Sequence, residues 1–265
     1  MAMTAEIVFI TVVLTMMAFL APGSLASSND TLFQTSTIDA LMQGVYDGTT
    51  TFKDLKAYGD FGIGTVEALD GEMVELDGQF YQVKSDGVAY HLSDSMKTPF
   101  AEVTFFKPDE TVDLNVTSNL TQLENYVDSK LATKNLFYAI RIDGTFDYVK
   151  TRSVPIQRKP YPTLSEAVKG QKIFEFYNVK GTVVGFRCPA FVNGANVPGY
   201  HMHFITENRS AGGHLLDFKL GNARVKIDNL SEFEMVLPNN EEFYQADLSE
   251  NQQAAVKTVE SDSKK

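Results

Sequence analysis

Three of the four histidines fall within fourteen residues, as His201, His203 and His214. Imidazole is the commonest neutral ligand for transition metals, and three of them leave a tetrahedral ion with one open coordination position. Such an ion can generate hydroxide, bind dioxygen or polarise a substrate oxygen. The surrounding sequence reads as a β-hairpin, with apolar runs at Tyr200 to Ile205 and His214 to Phe218 flanking a polar, Gly-rich turn. Side chains alternate along a strand, so His201 and His203 share a face, roughly 7 Å apart. If His203 lies opposite His214, all three rings share that face, whereas a slip of one residue sends His214 to the other side. A metal site therefore predicts the hairpin register. Zinc, copper, iron and nickel all accept such a ligand set, with zinc the default expectation. The fourth histidine, His91 in Ala89-Tyr90-His91-Leu92, has no ligand-like neighbour and reads as structural; Glu207, four residues after His203, reads as part of the turn.

The reaction depends on groups elsewhere in the chain. Candidate acids are Glu67 and Glu72, and a basic group stands at Arg152, Arg158 and Lys159. In an acidic chain a local basic cluster suggests an anionic ligand, and the Arg fork matches a carboxylate with two parallel hydrogen bonds.

These groups must be placed by an α+β fold. Ser36-Thr37-Ile38-Asp39 has capping-box spacing, and Ile38, Leu41, Met42 and Val45 follow at helical period. Short strands at Gly62 to Val66, Met73 to Leu76 and Phe80 to Val83, joined by Asp-Gly turns, predict a meander. Further strands are expected at Ala101 to Phe106 and Leu136 to Ile142, with a helix around Leu123 to Leu131 between them. Pro155, Pro160 and Pro162 then interrupt the chain, and Thr163-Leu164-Ser165-Glu166 opens a short capped helix. Beyond them, strands are expected at Phe174 to Tyr177, Gly181 to Phe186, the histidine hairpin, Arg224 to Ile227 and Glu232 to Leu237. The expectation is two β-sheet-centred subdomains with few helices. Residues 27–160 would carry a mixed N-terminal sheet, and residues 161–248 a largely antiparallel C-terminal sheet holding the metal site. Residues 249–265 form a polar tail.

With 265 residues, 43% of them hydrophobic, the chain is long enough to bury a large core. A net charge of −11 argues against nucleic acid and anionic membrane surfaces, both of which call for basic patches. The apolar run Ile7 to Ala21, followed by Ser24-Leu25-Ala26, has the form of a secretory signal peptide over residues 1–26, although no Lys or Arg precedes it. Cleavage after Ala26 would make the protein extracytoplasmic, with no stable membrane partner. Five Asn-X-Ser/Thr sequons begin at Asn29, Asn115, Asn119, Asn208 and Asn229. The single cysteine, Cys188, excludes an intrachain disulfide and reads as a buried thiol.

Beyond the histidines, ordered blocks along the chain resemble the α-acetolactate decarboxylase family. They run through Gln34-Thr35-Ser36-Thr37-Ile38-Asp39-Ala40-Leu41, Tyr46-Asp47-Gly48, Gly59-Asp60-Phe61-Gly62-Ile63-Gly64-Thr65 and Leu69-Asp70-Gly71-Glu72-Met73. They continue in Tyr148-Val149-Lys150-Thr151-Arg152-Ser153-Val154-Pro155, Val197-Pro198-Gly199-Tyr200-His201-Met202-His203-Phe204 and Gly212-Gly213-His214. The resemblance implies zinc on His201, His203 and His214, catalytic acids Glu72 and Glu260, an active-site Arg152, and Thr65 close to the metal. It also implies that the tail folds back over the metal. The reaction would be decarboxylation of (S)-2-acetolactate to (R)-acetoin, the metal acting as Lewis-acid electron sink for an enediolate. The partners implied are a small 2-hydroxy-3-keto acid and, at most, a second copy forming a homodimer. Two rivals are a cupin-like dioxygenase, suggested by His201-X-His203-X3-Glu207, and a non-catalytic secreted metal-binding module. A cupin needs a histidine in a later block, and none follows His214.

Overall fold

The computed structural model describes residues 30–114 and 118–261. The expected signal segment and the sequons beginning at Asn29 and Asn115 lie outside them. In chain order the elements are β1 (Thr31–Thr35), α1 (Ile38–Met42), β2 (Thr50–Thr51), α2 (Phe52–Leu55), β3 (Phe61–Thr65), β4 (Glu72–Leu76) and β5 (Gln79–Val83). There follow β6 (Ala89–His91), β7 (Lys97–Thr98), β8 (Ala101–Thr104), β9 (Glu110–Leu114), β10 (Ser118–Asn119), α3 (Leu120–Lys130) and β11 (Phe137–Ser153). The last are α4 (Leu164–Ala167), β12 (Lys172–Cys188), β13 (Gly199–Thr206), β14 (Gly212–Leu230), β15 (Glu232–Val236), α5 (Glu241–Gln245) and α6 (Gln253–Glu260).

Two sheets dominate. The first is seven-stranded, in the order β15-β1-β8-β3-β4-β5-β6, and is mixed because β1 and β15 run parallel while its other pairs are antiparallel. The second is antiparallel, in the order β10-β14-β11-β12-β13, with β9 also on β14 and β13 closing back onto β14. The strands are not partitioned at the prolines. β15 crosses back to the edge of the first sheet, while β9, β10 and β11 precede Pro155 yet belong to the second. Proline here ends a strand, because it cannot donate to the ladder. The short runs expected at 174–177 and 181–186 are one 17-residue strand, and 224–227 belongs to the 19-residue β14.

Period-2 alternation explains how the sheets pack. Leu32, Phe61, Ile63, Val74 and Leu76 of the first sheet meet Phe137, Ala139, Val184, Phe186, Ile205 and Leu230 of the second in one apolar layer. Intervening residues face outward. Phe33, Met73, Ala101 and Val103 pack with Phe52 and Leu55 of α2, whereas Tyr138, Ile140, Val183 and Phe204 pack with Leu123 and Val127 of α3. Each fully buried aliphatic or aromatic side chain in these layers contributes about 1.5–3 kcal/mol.

Toward one end of the sandwich the same inner rows become polar. Leu32 gives way to Gln34, Ile63 to Thr65, Val74 to Glu72, and Ile205 to His203 and His201, all buried. Helices close that end: Ile38 and Leu41 of α1, Leu164 and Ala167 of α4, and Val256 and Val259 of α6 form a common cluster with Phe100 and Val197. α1 begins one residue later than the expected box, at Thr37, whose hydroxyl accepts from Ala40 N, while Ser36 adopts a left-handed φ of 64°. The Asp77-Gly78 turn, with φ of 54° and 72°, joins β4 to β5.

Candidate metal centre

β13 and β14 pair with His203 opposite His214, the register that a shared histidine face requires. His201 lies two residues back on the same inner face. The three ring centroids form a nearly equilateral triangle, 5.2, 5.3 and 5.3 Å on a side, and one ligating nitrogen of each lies within 4.8 Å of the others. Zinc–nitrogen bonds of about 2.1 Å set tetrahedral nitrogens about 3.4 Å apart, so modest rotation of the rings fits them to one ion. All three side chains are buried. Among the described residues His203 Nε2 is buried without a hydrogen-bond partner, and so is Glu260 Oε2, which lies 3.4 Å from His201 Nε2 and 3.6 Å from His214 Nε2. A buried acceptor facing no donor is costly, and a cation among these atoms removes that cost. The residues present fit a metal ion.

Behind two of the rings stand acceptors: one ring makes a hydrogen bond there, and the other faces a carboxylate oxygen at ion-pair distance. His203 Nδ1 donates to the carbonyl of Met73 at 2.8 Å, tying the second sheet to β4, and this fixes its tautomer with a lone pair on Nε2. His201 Nδ1 lies 3.3 Å from Oε1 of Glu102, a fully buried residue of β8.

Both sheets and the tail complete the site. Thr65 and Glu72 are paired across β3 and β4, and Glu72 Oε2 lies 3.6 Å from His203 Nε2. The Thr65 hydroxyl donates to Gly71 O at 2.6 Å, which leaves its oxygen as an acceptor. Arg152 is paired with His214 across β11 and β14, 4% exposed. Its Nη1 donates to Gln171 Oε1 at 3.2 Å, its Nη2 lies 3.9 Å from Glu260 Oε1, and its Nε has no hydrogen-bond partner among the described residues. Gly213 permits the close approach of β14, since a Cβ there would lie 2.4 Å from the Arg152 carbonyl, and its φ is +132°. The tail returns as α6, whose buried Val256 and Val259 seat it on the helical cluster and bring Glu260 to the histidines.

Burial pushes the Glu72 carboxyl up to about 7, with Glu260 adding to the rise and Arg152 and His201 opposing it. Burial, reinforced by the charges of His201 and Arg152, holds His203 well below the usual imidazole range; burial and Arg152 do the same for His214. Both stay neutral, as ligation demands. His201 runs the other way: burial lowers it, but Glu260, Glu102 and Glu72 together outweigh that and raise it. An inner cavity of about 30 Å³ is lined by Thr65, Glu72, Arg152, the three histidines and Glu260, with apolar walls from Ile38, Leu41, Phe100 and Leu164. On the far side of Glu260 and His214 lies a wider cavity of about 640 Å³, bounded by Leu120, Tyr200, Met202, Leu215 and Val256.

Of the residues singled out from sequence, His201, His203, His214, Thr65, Glu72, Arg152 and Glu260 converge. Glu67, Arg158 and Lys159 do not: all three are exposed, and Lys159 pairs with Asp47 and Glu242. Glu207 is an exposed turn residue, His91 bonds to Gln79 on an exposed edge, and Cys188 is buried. Glu102 was not anticipated. A lone acid in the run Ala101-Glu102-Val103 was its only signal.

Known proteins similar to this chain identify its family. The family model for alpha-acetolactate decarboxylase matches residues 32–250, a span that ends ten residues short of Glu260. The alpha-acetolactate decarboxylase of Methanosarcina mazei is 54% identical over 91% of this chain and 84% of its own length, and that of Methylococcus capsulatus is 49% identical over 86% and 88%. The crystal structure of alpha-acetolactate decarboxylase from Bacillus subtilis strain 168 superposes with a TM-score of 0.85 at 44% identity, covering 87% of this chain and 98% of that one. The chain belongs to the alpha-acetolactate decarboxylase family.

Proposed function

We propose that this acetolactate decarboxylase uses zinc, held by His201, His203 and His214, to convert (S)-2-acetolactate to (R)-acetoin and CO2. One observation carries the reading: three imidazole nitrogens, an under-satisfied buried arginine and two carboxylates converge on one small chamber between the sheets. When bound, the cation supplies Lewis acidity at the substrate's ketone and hydroxyl oxygens, which stabilises the charge left on the former α-carbon as CO2 departs.

The chain's own residues do the rest. Arg152 binds and orients the carboxylate through its unused donors, and its charge favours binding the acid over the neutral product. Glu72, with its carboxyl pushed up to about 7, holds or releases a proton near neutral pH, which suits it to the substrate hydroxyl. Glu260 faces it across the chamber from α6, and the two carboxylates together manage protons at the substrate oxygens and the reacting carbon. Apolar walls exclude bulk water. Thr65 offers its oxygen as an acceptor beside Glu72.

The test is to give purified protein racemic acetolactate and follow acetoin by chiral chromatography together with CO2, with chelator and with added zinc. Chelator-sensitive release of (R)-acetoin is expected. No acetoin from folded, zinc-loaded protein refutes the reading. Export belongs to the same proposal and rests on the apolar segment before Ala26; mature protein recovered outside the cytoplasm should begin at Ser27. A homodimer is proposed alongside, to be checked by sedimentation.

A further inference from the structure

Behind His201 runs a chain of buried polar groups that the decarboxylation chemistry does not touch. Gln34, Glu102 and Asn196 are each 0% exposed, and they come from β1, β8 and the loop before β13. Gln34 Nε2 donates to Ser36 O at 2.7 Å and to Ala195 O at 2.8 Å, so its amide cannot turn round. Its Oε1 must therefore accept, and Asn196 Nδ2 donates to it at 2.6 Å. The second hydrogen of that amide goes to Glu102 Oε2 at 2.7 Å, while Asn196 Oδ1 accepts from Val197 N. Every donor along this path has a direction imposed by its neighbour. Residue 102 must present an acceptor to Asn196, and its other oxygen, Oε1, is left to face His201 Nδ1 at 3.3 Å, each of these two buried atoms being without a hydrogen-bond partner among the described residues.

We infer that Glu102 is a positioning residue for the metal centre, and that the Gln34–Asn196–Glu102 relay exists to hold His201 with its proton on Nδ1 and its lone pair on Nε2. The inference rests on the proposal that His201, His203 and His214 bind zinc. A carboxylate behind a ligating histidine both fixes the ring and raises its donor strength. His203 has only a backbone carbonyl in that role. Among the described residues, His201 is the ring with a carboxylate behind it, at Nδ1.

The directionality gives the inference an unusual signature. In Glu102→Gln the side chain keeps its shape, but Asn196 still demands an oxygen, so the new amide turns its NH2 toward His201. The imidazole must then accept at Nδ1 and carry its proton on Nε2, where a ligand lone pair is needed. In Glu102→Ala the space admits water, which accepts from Nδ1–H as readily as it donates, and the ligating tautomer survives. The isosteric change is therefore worse for metal than the truncation, the reverse of what a merely structural role produces.

Zinc affinity of the purified chain, read by competition with a chromophoric chelator, supplies the first measurement. Glu102→Gln is expected to bind at least about 10- to 100-fold more weakly than the parent, and more weakly than Glu102→Ala. The second measurement needs no metal and no activity: at a pH alkaline enough to leave His201 neutral, long-range ¹H–¹⁵N correlation of the imidazoles should show His201 as the Nδ1–H tautomer in the parent and as Nε2–H in folded Glu102→Gln. Parent-like affinity and an unchanged tautomer in folded Glu102→Gln would overturn the relay. If Glu102→Ala does not fold, the tautomer comparison between parent and Glu102→Gln decides alone. Failure of the underlying metal reading looks different, since the parent itself would then take up no zinc, or His203→Ala would bind it as well as the parent.

Discussion

Replacing Arg152 should separate substrate recognition from metal binding. The side chain is 4% exposed, makes one hydrogen bond among the described residues, to Gln171, and stands 3.9 Å from Glu260, so most of its donors are uncommitted there. A substrate carboxylate that takes two of them gains two charge-assisted bonds, each worth about 1.5–3 kcal/mol. Losing both in Arg152→Gln costs about 3–6 kcal/mol, and at 1.36 kcal/mol per tenfold in rate this lowers kcat/KM by about 10²- to 10⁴-fold. Arg152→Lys keeps the charge but not the fork, and is expected to recover part of that loss. The assay is acetoin formation across substrate concentrations, with bound zinc counted in each variant. The possible metal ligands are the three histidines and not Arg152, so zinc content should stay at the parent level. Its charge also holds the Glu72 carboxyl down from where burial would put it, so removal should move the Glu72 step of the pH–rate profile upward from about 7. Arg152→Gln protein that keeps its zinc and retains kcat/KM within tenfold of the parent would refute this account of carboxylate binding.

Other outcomes follow from the same geometry. Ending the chain after Gln252 removes α6 and Glu260 but no histidine, so the product should stay folded and bind zinc while kcat falls by about 10²-fold or more, as expected for loss of a positioned proton-transfer group; unchanged kcat would place Glu260 outside the chemistry. Chelation should lower Tm, because a ligand that binds only the folded chain stabilises it by RT ln(1 + [L]/Kd), about 4 kcal/mol at a thousandfold excess over Kd; a Tm indifferent to chelator and zinc would remove the metal from the folded state. Gly213→Ala should displace β14 from Arg152 and weaken zinc binding, as seen by chelator competition, since the new methyl meets a backbone carbonyl at 2.4 Å. Asp228 is 2% exposed, and burial, with Asp109 and Asp30 nearby, pushes its carboxyl up to about 7 from 3.8. A raised value in the folded state means its contribution is complete below pH 3.8 and is lost as pH climbs to 7. Asp228→Asn, which can still accept from Lys107 N, should therefore gain about 1–2 kcal/mol over the parent at pH 8 after allowance for solvent screening, and little at pH 4; melts with the same difference at both pH values would contradict the sign.

The histidine register was legible because alternation is a local property: two histidines two apart, a turn, and a third histidine leave one pairing that gathers all three. Glu72 and Arg152 are legible as charges of the right kind in blocks that resemble the family, but nothing in their local sequence says that β4 and β11 lie on facing sheets. The long strands look like several short ones in sequence because their outer halves expose both faces; Lys172 to Lys180 on β12 is exposed or half-buried throughout, so its apolar signal fades midway. The parallel pairing of β15 with β1 joins residues about 200 positions apart and leaves no local mark. Proline clusters suggested a boundary where the chain merely leaves a strand.

Glu102 shows most clearly what periodicity hides. In Ala101-Glu102-Val103-Thr104, alternation by itself assigns the acid to a solvent face, the usual place for a charge on an antiparallel strand. Here both faces of β8 are covered, so the acid points inward to Asn196 and His201, and Thr104 two residues on donates to Thr31 O. The inner rows of both sheets change from apolar to polar at the same end, and that coincidence makes a site of residues that each look like a solvated strand position when read alone. A polar residue every second place is the mark of a wetted face in a single sheet, but between two sheets it marks the chamber.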